Sequence, residues 1–217
     1  MEYGERSSVG RAPDCGSGCR GFEPHRSPHN IMIFVISGPS GVGKGTIIQQ
    51  LLTENSDYSL AVSATTRPPR AGEIHGTDYY FLSDSEFDAY IETNEFLEWC
   101  QVHTHRYGTL KREILSNANK VTIIEIDVQG AEKIRSHQDI RQRHIFIIPP
   151  SLDVLESRLR KRNTETDAEI AKRIKEATNE LEKKSNYDHI IINNELTQSV
   201  FELNNILLKE LTEGVIE

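Results

Sequence analysis

Apolar and polar positions run in blocks along most of this chain, and the block lengths predict its elements. Ile33 to Ile36 is an unbroken β-branched and aromatic run, the pattern of a strand buried on both faces. It breaks at Gly38, and Ile47-Ile48-Gln49-Gln50-Leu51-Leu52 reads as a helix. Tyr58 to Thr65, apolar with polar punctuation, predicts a second strand, and Gly76 to Phe81 an aromatic edge strand. Between Ser83 and Asn94, Phe87, Tyr90 and Ile91 recur at helical intervals behind a Ser83/Glu86 capping box. Phe96 to Cys100 is an apolar run holding Glu98, which taken alone reads as a strand residue alternating outward. Leu110 to Ala118 is helical in pattern. Val121 to Asp127 predicts a buried strand ending in a carboxylate, with a loop at Gln129-Gly130, and His144 to Ile148 a third, stopped by Pro149-Pro150.

Ser151 can cap a helix over Leu152 to Lys161, whose Leu152, Leu155 and Leu159 form one stripe. Thr166 and Glu169 offer another capping box for a helix reaching about Lys184. Asp188 to Asn194 predicts a last buried strand, and Leu196 to Leu211 a helix with Val200, Leu203, Leu207, Leu208 and Leu211 inward. Strands alternating with helices specify an α/β fold with a parallel sheet, whose ligands sit at the carboxyl ends of the strands. Residues 1–31 are rich in Gly, Ser, Pro and Arg without periodicity. They are expected to be disordered and outside the working fold, with Met32 as the natural start. Cys15, Cys19, His25 and His29 do not match zinc-finger spacing.

Charge and composition narrow the class. A net charge of −8 argues against a surface that coats nucleic acid but leaves a local phosphate pocket open. No apolar run approaches membrane-spanning length. Three cysteines fit a reducing compartment better than a disulfide framework, so the expected location is cytoplasmic.

The chemistry begins at Gly38-Pro39-Ser40-Gly41-Val42-Gly43-Lys44-Gly45-Thr46. Gly38, Gly43 and Lys44 fit G-x-x-x-x-G-K between a strand and a helix, a loop whose backbone N–H groups and lysine cradle phosphates. Gly45 stands where the generic pattern has a hydroxyl that binds magnesium. Mg²⁺ is therefore expected on phosphates, water and a carboxylate, with Asp127 orienting metal-bound water or a substrate group, Glu125 nearby, and no protein ligand assigned. Arg67 and Arg70, in a turn stiffened by Pro68 and Pro69, suit a fork-like grip on one further phosphate. Arg158 and Arg162 share one helix face, and Arg173 lies on the next helix, so this polar pair can serve as a lid.

Together, Gly38 to Thr46, Ser63-x-Thr65-Thr66-Arg67-x-Pro69-Arg70-x-Gly72-Glu73, Gly76-x-Asp78-Tyr79, Glu98-Trp99, Tyr107-Gly108-Thr109 and Ile126-Asp127-x-Gln129-Gly130 resemble the guanylate kinase family over Ile33 to Lys209. The resemblance implies a P-loop three-layer fold with a central parallel sheet, a GMP-binding insertion at 63–113 and a helical lid at 152–175. It implies transfer of the ATP γ-phosphoryl group to GMP with Mg²⁺. Lys44, Arg158, Arg162 and Arg173 would be catalytic. Asn193 would join residues 38–46 on the ATP side. Arg67, Arg70, Tyr79 and Tyr107 would hold the GMP phosphate, and Ser63, Glu98, Thr109 and Asp127 would read guanine. Expected partners are ATP and GMP, with no nucleic acid and no membrane; a homo-oligomer is left open. The rivals are a kinase for another nucleoside monophosphate and a scaffold domain of the same fold. The intact Gly38, Gly43 and Lys44 weigh against the scaffold.

Overall fold

A computed structural model describes residues 32–102, 104–116, 121–161 and 166–213. The expectations for residues 1–31, for the helix beyond Ser116 and for Arg162 lie outside those residues. Strand β1 (Met32–Ser37) is the centre of a five-stranded parallel sheet in the order β2-β7-β1-β8-β9, with β2 Tyr58–Leu60, β7 Val121–Glu125, β8 Arg141–Ile148 and β9 His189–Ile192. Its continuous apolar run serves two cores. Phe34 and Ile36 pack with Ile47, Ile48 and Leu51 of α1 (Lys44–Glu54) and Val200, Leu203 and Leu207 of α7 (Leu196–Glu213). Ile33 and Val35 point the other way, against Ala131 and Ile134 of α4 (Val128–Arg135). All four β1 residues are fully buried, each stabilising the fold by about 2 kcal/mol.

The chain leaves this sheet after Leu60. Ala61 N–H still donates to Ile123 O (2.8 Å), but Val62 N–H is taken by the Glu113 carboxylate (3.1 Å), and Ser63 starts a different sheet. The single strand expected over Tyr58 to Thr65 is therefore two, β2 and β3 (Ser63–Thr65). The second sheet has the order β4-β3-β6-β5, with β4 Tyr80–Phe81, β5 Phe96–Val102 and β6 His105–Leu110. Gly76 to Tyr79 forms a loop before β4 where an edge strand was expected from Gly76. Helix α2 (Asp84–Glu92), with both hydrogen bonds of its Ser83/Glu86 capping box, packs Phe87 beneath this sheet, and α3 (Lys111–Ser116) leads back to β7.

Three further expectations change. Where a loop was expected after Asp127, α4 begins at Val128 with Asp127 as its N-cap. Strand β9 is the sheet's edge, so Ile190 and Ile192 are exposed and only Ile191 is buried. Leu208 is exposed on the outer side of α7. Helices α5 (Leu152–Arg160) and α6 (Asp167–Leu181) form a small pair of their own around Leu155, Leu159, Ile170 and Ala177, capped by Ser151 and Thr166.

Candidate active site

The loop between β1 and α1 follows from its glycines. Gly38, Gly41 and Gly43 all have positive φ (148°, 88° and 101°), so backbone N–H groups turn inward. A Cβ on Gly43 would lie 2.6 Å from Asn193 Nδ2. That amide is why the loop keeps its shape: Asn193 Nδ2 donates to Val42 O (2.7 Å) while its Oδ1 accepts from Ser199 Oγ (3.1 Å). Arg158 reaches from α5 to the same place, donating to Val42 O (3.1 Å) and Asn193 O (2.8 Å). Asn193 is thus buried beneath the loop with its amide engaged, and any part it plays in ATP binding runs through the loop it holds. Gly43→Ala should remove that hold, lowering stability by about 1–3 kcal/mol. Thermal unfolding with and without ATP measures it, and an unchanged midpoint in both would contradict the arrangement.

Lys44 Nζ donates to Gly38 O (2.7 Å) and Pro39 O (3.3 Å), at the mouth of the loop. Gly43 caps α1 without a side-chain hydrogen bond, and no acidic residue occupies the first turn, so positive helix-end potential is left for an anion. Glu125, at the end of β7, lies against Gly45: a Cβ there would be 3.4 Å from Glu125 Oε2. Burial raises the Glu125 carboxyl, while Lys44 draws it back down. An oxygen donor beside the phosphate loop suits a hard cation such as Mg²⁺. Glu125 is the better placed of the two carboxylates, because both Asp127 oxygens are engaged. Its Oδ1 accepts from Gln129 N (2.7 Å) and Gly130 N (3.1 Å), and its Oδ2 from the Cys100 thiol (3.1 Å). Thr46 is exposed.

The second sheet supplies the other wall by simple register. Ser63 pairs with Thr109, and Thr109 with Glu98, so these three stand in one row across β3, β6 and β5. Two residues along, Thr65, Tyr107 and Cys100 form the next row on the same face. A bulge between Phe96 and Glu98 turns Glu98 inward and leaves Trp99 outside, against the outward alternation expected for Glu98. Its Oε1 accepts from Thr109 N (3.0 Å) and Thr109 Oγ1 (2.9 Å), whereas Oε2 is buried without a hydrogen-bond partner. Burial, with the Asp127 charge adding to it, pushes the Glu98 carboxyl up to about 7.

Beside these rows Arg67 lies over the rings of Tyr79 (5.4 Å) and Phe81 (5.7 Å), and Tyr79 meets Tyr107 edge-on. Glu73 holds Arg67 fork to fork, two contacts of 2.9 Å, and accepts from Arg70 N (2.6 Å). Glu73 is thus the residue that sets the two-arginine turn, a role the sequence reading did not give it. The Arg70 side chain is exposed. Burial, then the nearby Glu125 charge, pushes Tyr79 up to about 12. Arg173 is half-buried on α6, one turn after Glu169. Glu180, further along α6, is raised to about 7 by burial against the pull of Lys44. It lay in a charge-rich helix and gave no sequence signal.

A glycine loop after the central strand of a parallel sheet, with a second polar sheet opposite, defines a P-loop α/β nucleotide-binding fold. The guanylate kinase family model matches residues 31–210, and the chain belongs to that family. It is 44% identical over 181 residues to a guanylate kinase of Caldanaerobacter subterraneus, spanning 82% of this chain and 87% of the relative. Against a guanylate kinase of Thermosynechococcus vestitus the identity is 43%, spanning 82% and 93%. The crystal structure of guanylate kinase from Anaplasma phagocytophilum superposes with a TM-score of 0.69 at 31% identity, covering 83% of this chain and 86% of that one.

Proposed function

We propose that this chain is an ATP:GMP phosphotransferase, converting ATP and GMP to ADP and GDP. The observation that carries the reading is the row Ser63–Thr109–Glu98, opposite the phosphate loop that ends at Lys44. Guanine presents N1–H and its 2-amino group as adjacent donors, and a buried carboxylate with an unpartnered oxygen is their acceptor. Ser63 and Thr109 add hydroxyls for the base, and Asp127 closes its far side. Arg67 and Arg70, set by Glu73, hold the GMP phosphate together with Tyr79 and Tyr107. Residues 38–46 hold the ATP phosphates.

An oxygen of the GMP phosphate attacks the γ-phosphorus in line, and the bond to the β–γ bridging oxygen breaks as ADP leaves. Both substrates are anions, so the chain's work is positioning and charge neutralisation. Lys44, Arg158, Arg173 and the lid arginine Arg162 supply the positive charge. Glu125 beside the loop, with water and the phosphates, would hold Mg²⁺, which would supply further neutralisation of the ATP phosphate charge. Residues 63–113 act as the GMP-binding part and 152–175 as the lid, which close over the cleft and exclude water, suppressing ATP hydrolysis. No described helix is long and apolar enough to cross a membrane.

A coupled ADP-release assay across GMP, AMP, UMP and dTMP tests the reading. GMP should lead by a factor on the order of 10² or more in kcat/KM. Equal rates, or another monophosphate in front, would overturn it.

A further inference from the structure

Cys100 stands on the binding face of β5, two residues beyond Glu98 and pointing the same way, and is 3% exposed. Its thiol donates to Asp127 Oδ2 across 3.1 Å, tying β5 to the first turn of α4. The rest of the Asp127 carboxylate is already fixed, since Oδ1 caps α4 through Gln129 N and Gly130 N. The thiol therefore decides the orientation of the one oxygen the cap leaves over. Burial and the Asp127 charge push the Cys100 thiol far up, so it stays protonated and remains a donor.

The placement is tight on every side. A Cβ on Gly130 would meet the Ile126 side chain at 2.3 Å and Glu98 Oε2 at 3.0 Å, so α4 approaches β5 closely and brings the half-buried Asp127 beside the buried Glu98 and Cys100. Two carboxylates this near repel each other. The Cys100 donor on Asp127 Oδ2 opposes that repulsion by holding the carboxylate in place.

We propose that Cys100 is a positioning residue for GMP: its thiol holds the Asp127 carboxylate in the orientation that meets the nucleotide beside Glu98. This rests on the reading of Asp127 as a GMP contact. A positioning donor differs from a packing residue in what can replace it. Valine puts more apolar bulk in the thiol's place and alanine less, and neither donates, whereas serine is smaller but donates.

The test is steady-state kinetics of the full chain with Cys100→Val, Cys100→Ala, Cys100→Ser, Asp127→Asn and Cys100→Val/Asp127→Asn, with thermal unfolding as the control for folding. Cys100→Val and Cys100→Ala should each raise KM for GMP about three- to tenfold, with KM for ATP and kcat held within about twofold. Cys100→Ser should return KM for GMP to within about twofold of the parent, and Cys100→Val should add less than about twofold in the Asp127→Asn background. A parental KM for GMP in Cys100→Val, equal rises in KM for both substrates, or a serine variant worse than valine would overturn the proposal. If Asp127→Asn leaves KM for GMP unchanged, the reading of Asp127 falls and takes the proposal with it. If Asp127→Asn raises that KM while Cys100→Val does not, only the positioning role falls.

Discussion

Lys44→Ala is expected to cut turnover on the order of 10³-fold while leaving the affinity for GMP within about threefold. The ammonium is the one side-chain cation in the phosphate loop itself, 2.7 Å from Gly38 O, beside the loop backbone that would receive the outer ATP phosphates on the proposed reading. Charge moves from the γ-phosphoryl group to the β–γ bridging oxygen as the bond breaks, and a fixed cation there counts for more in the transition state than in either ground state. On the reading proposed above, GMP would instead be held from the second sheet, by Arg67, Tyr79, Tyr107 and the Ser63–Thr109–Glu98 row, which are placed by their own ring contacts and strand register. The separation is what makes the variant informative. Turnover by coupled ADP release and GMP binding by calorimetry should part company, and near-parental turnover would remove Lys44 from the catalytic set. Loss of GMP binding alongside turnover would show instead that the two walls of the cleft are not independent.

What the sequence could convey depended on whether a residue's role is local. The phosphate loop was legible because its chemistry sits in nine consecutive residues between a strand and a helix. Capping boxes at Ser83/Glu86 and Thr166/Glu169 were legible for the same reason, and both form. Glu98 was ambiguous by alternation, because a bulge decides which way it points, and a bulge is set by the partner strand. The break between β2 and β3 left no Gly or Pro signal; it is imposed by Glu113, 51 residues away from Val62 in sequence. Helix α4 was missed although its cues were present: Asp127 as an N-cap, Val128, Ala131 and Ile134 at helical spacing, and Lys133 and Arg135 in the last turn. The Gln-Gly pair after the strand suggested a loop, yet Gly130 lies inside α4, where a Cβ would meet the Ile126 side chain at 2.3 Å and Glu98 Oε2 at 3.0 Å. Glu73 stands inside a family motif and Cys100 in none, yet neither shows its role there, since each acts by holding a side chain or turn whose own role is the visible one. The resemblance to a family supplied most of the second sheet's site residues; spacing alone supplied only the arginine pair.

Glu98→Gln is expected to collapse the preference for guanine, lowering the ratio of kcat/KM for GMP over AMP by at least about a hundredfold. The Thr109 N–H and hydroxyl already claim one carboxylate oxygen, so in the variant they orient the amide with its carbonyl toward Thr109. The amide NH₂ then occupies the place of Oε2, a donor facing the N1–H and 2-amino donors of guanine. Adenine has an acceptor at N1 and gains what guanine loses. Protonation should do to the parent enzyme what the mutation does permanently. Burial pushes Glu98 up to about 7, and kcat/KM reports the free enzyme. The ionised form accepts from guanine, so selectivity is full at pH above that value and declines as pH falls through it. GMP and AMP carry the same phosphate and share ATP, so every titration common to both cancels in their ratio. In Glu98→Gln the ratio should be low and flat with pH. A parental ratio in that variant would remove Glu98 from base recognition. A flat ratio in the parent between about pH 6 and 8 would show that the residue reads guanine without its ionisation being part of the reading.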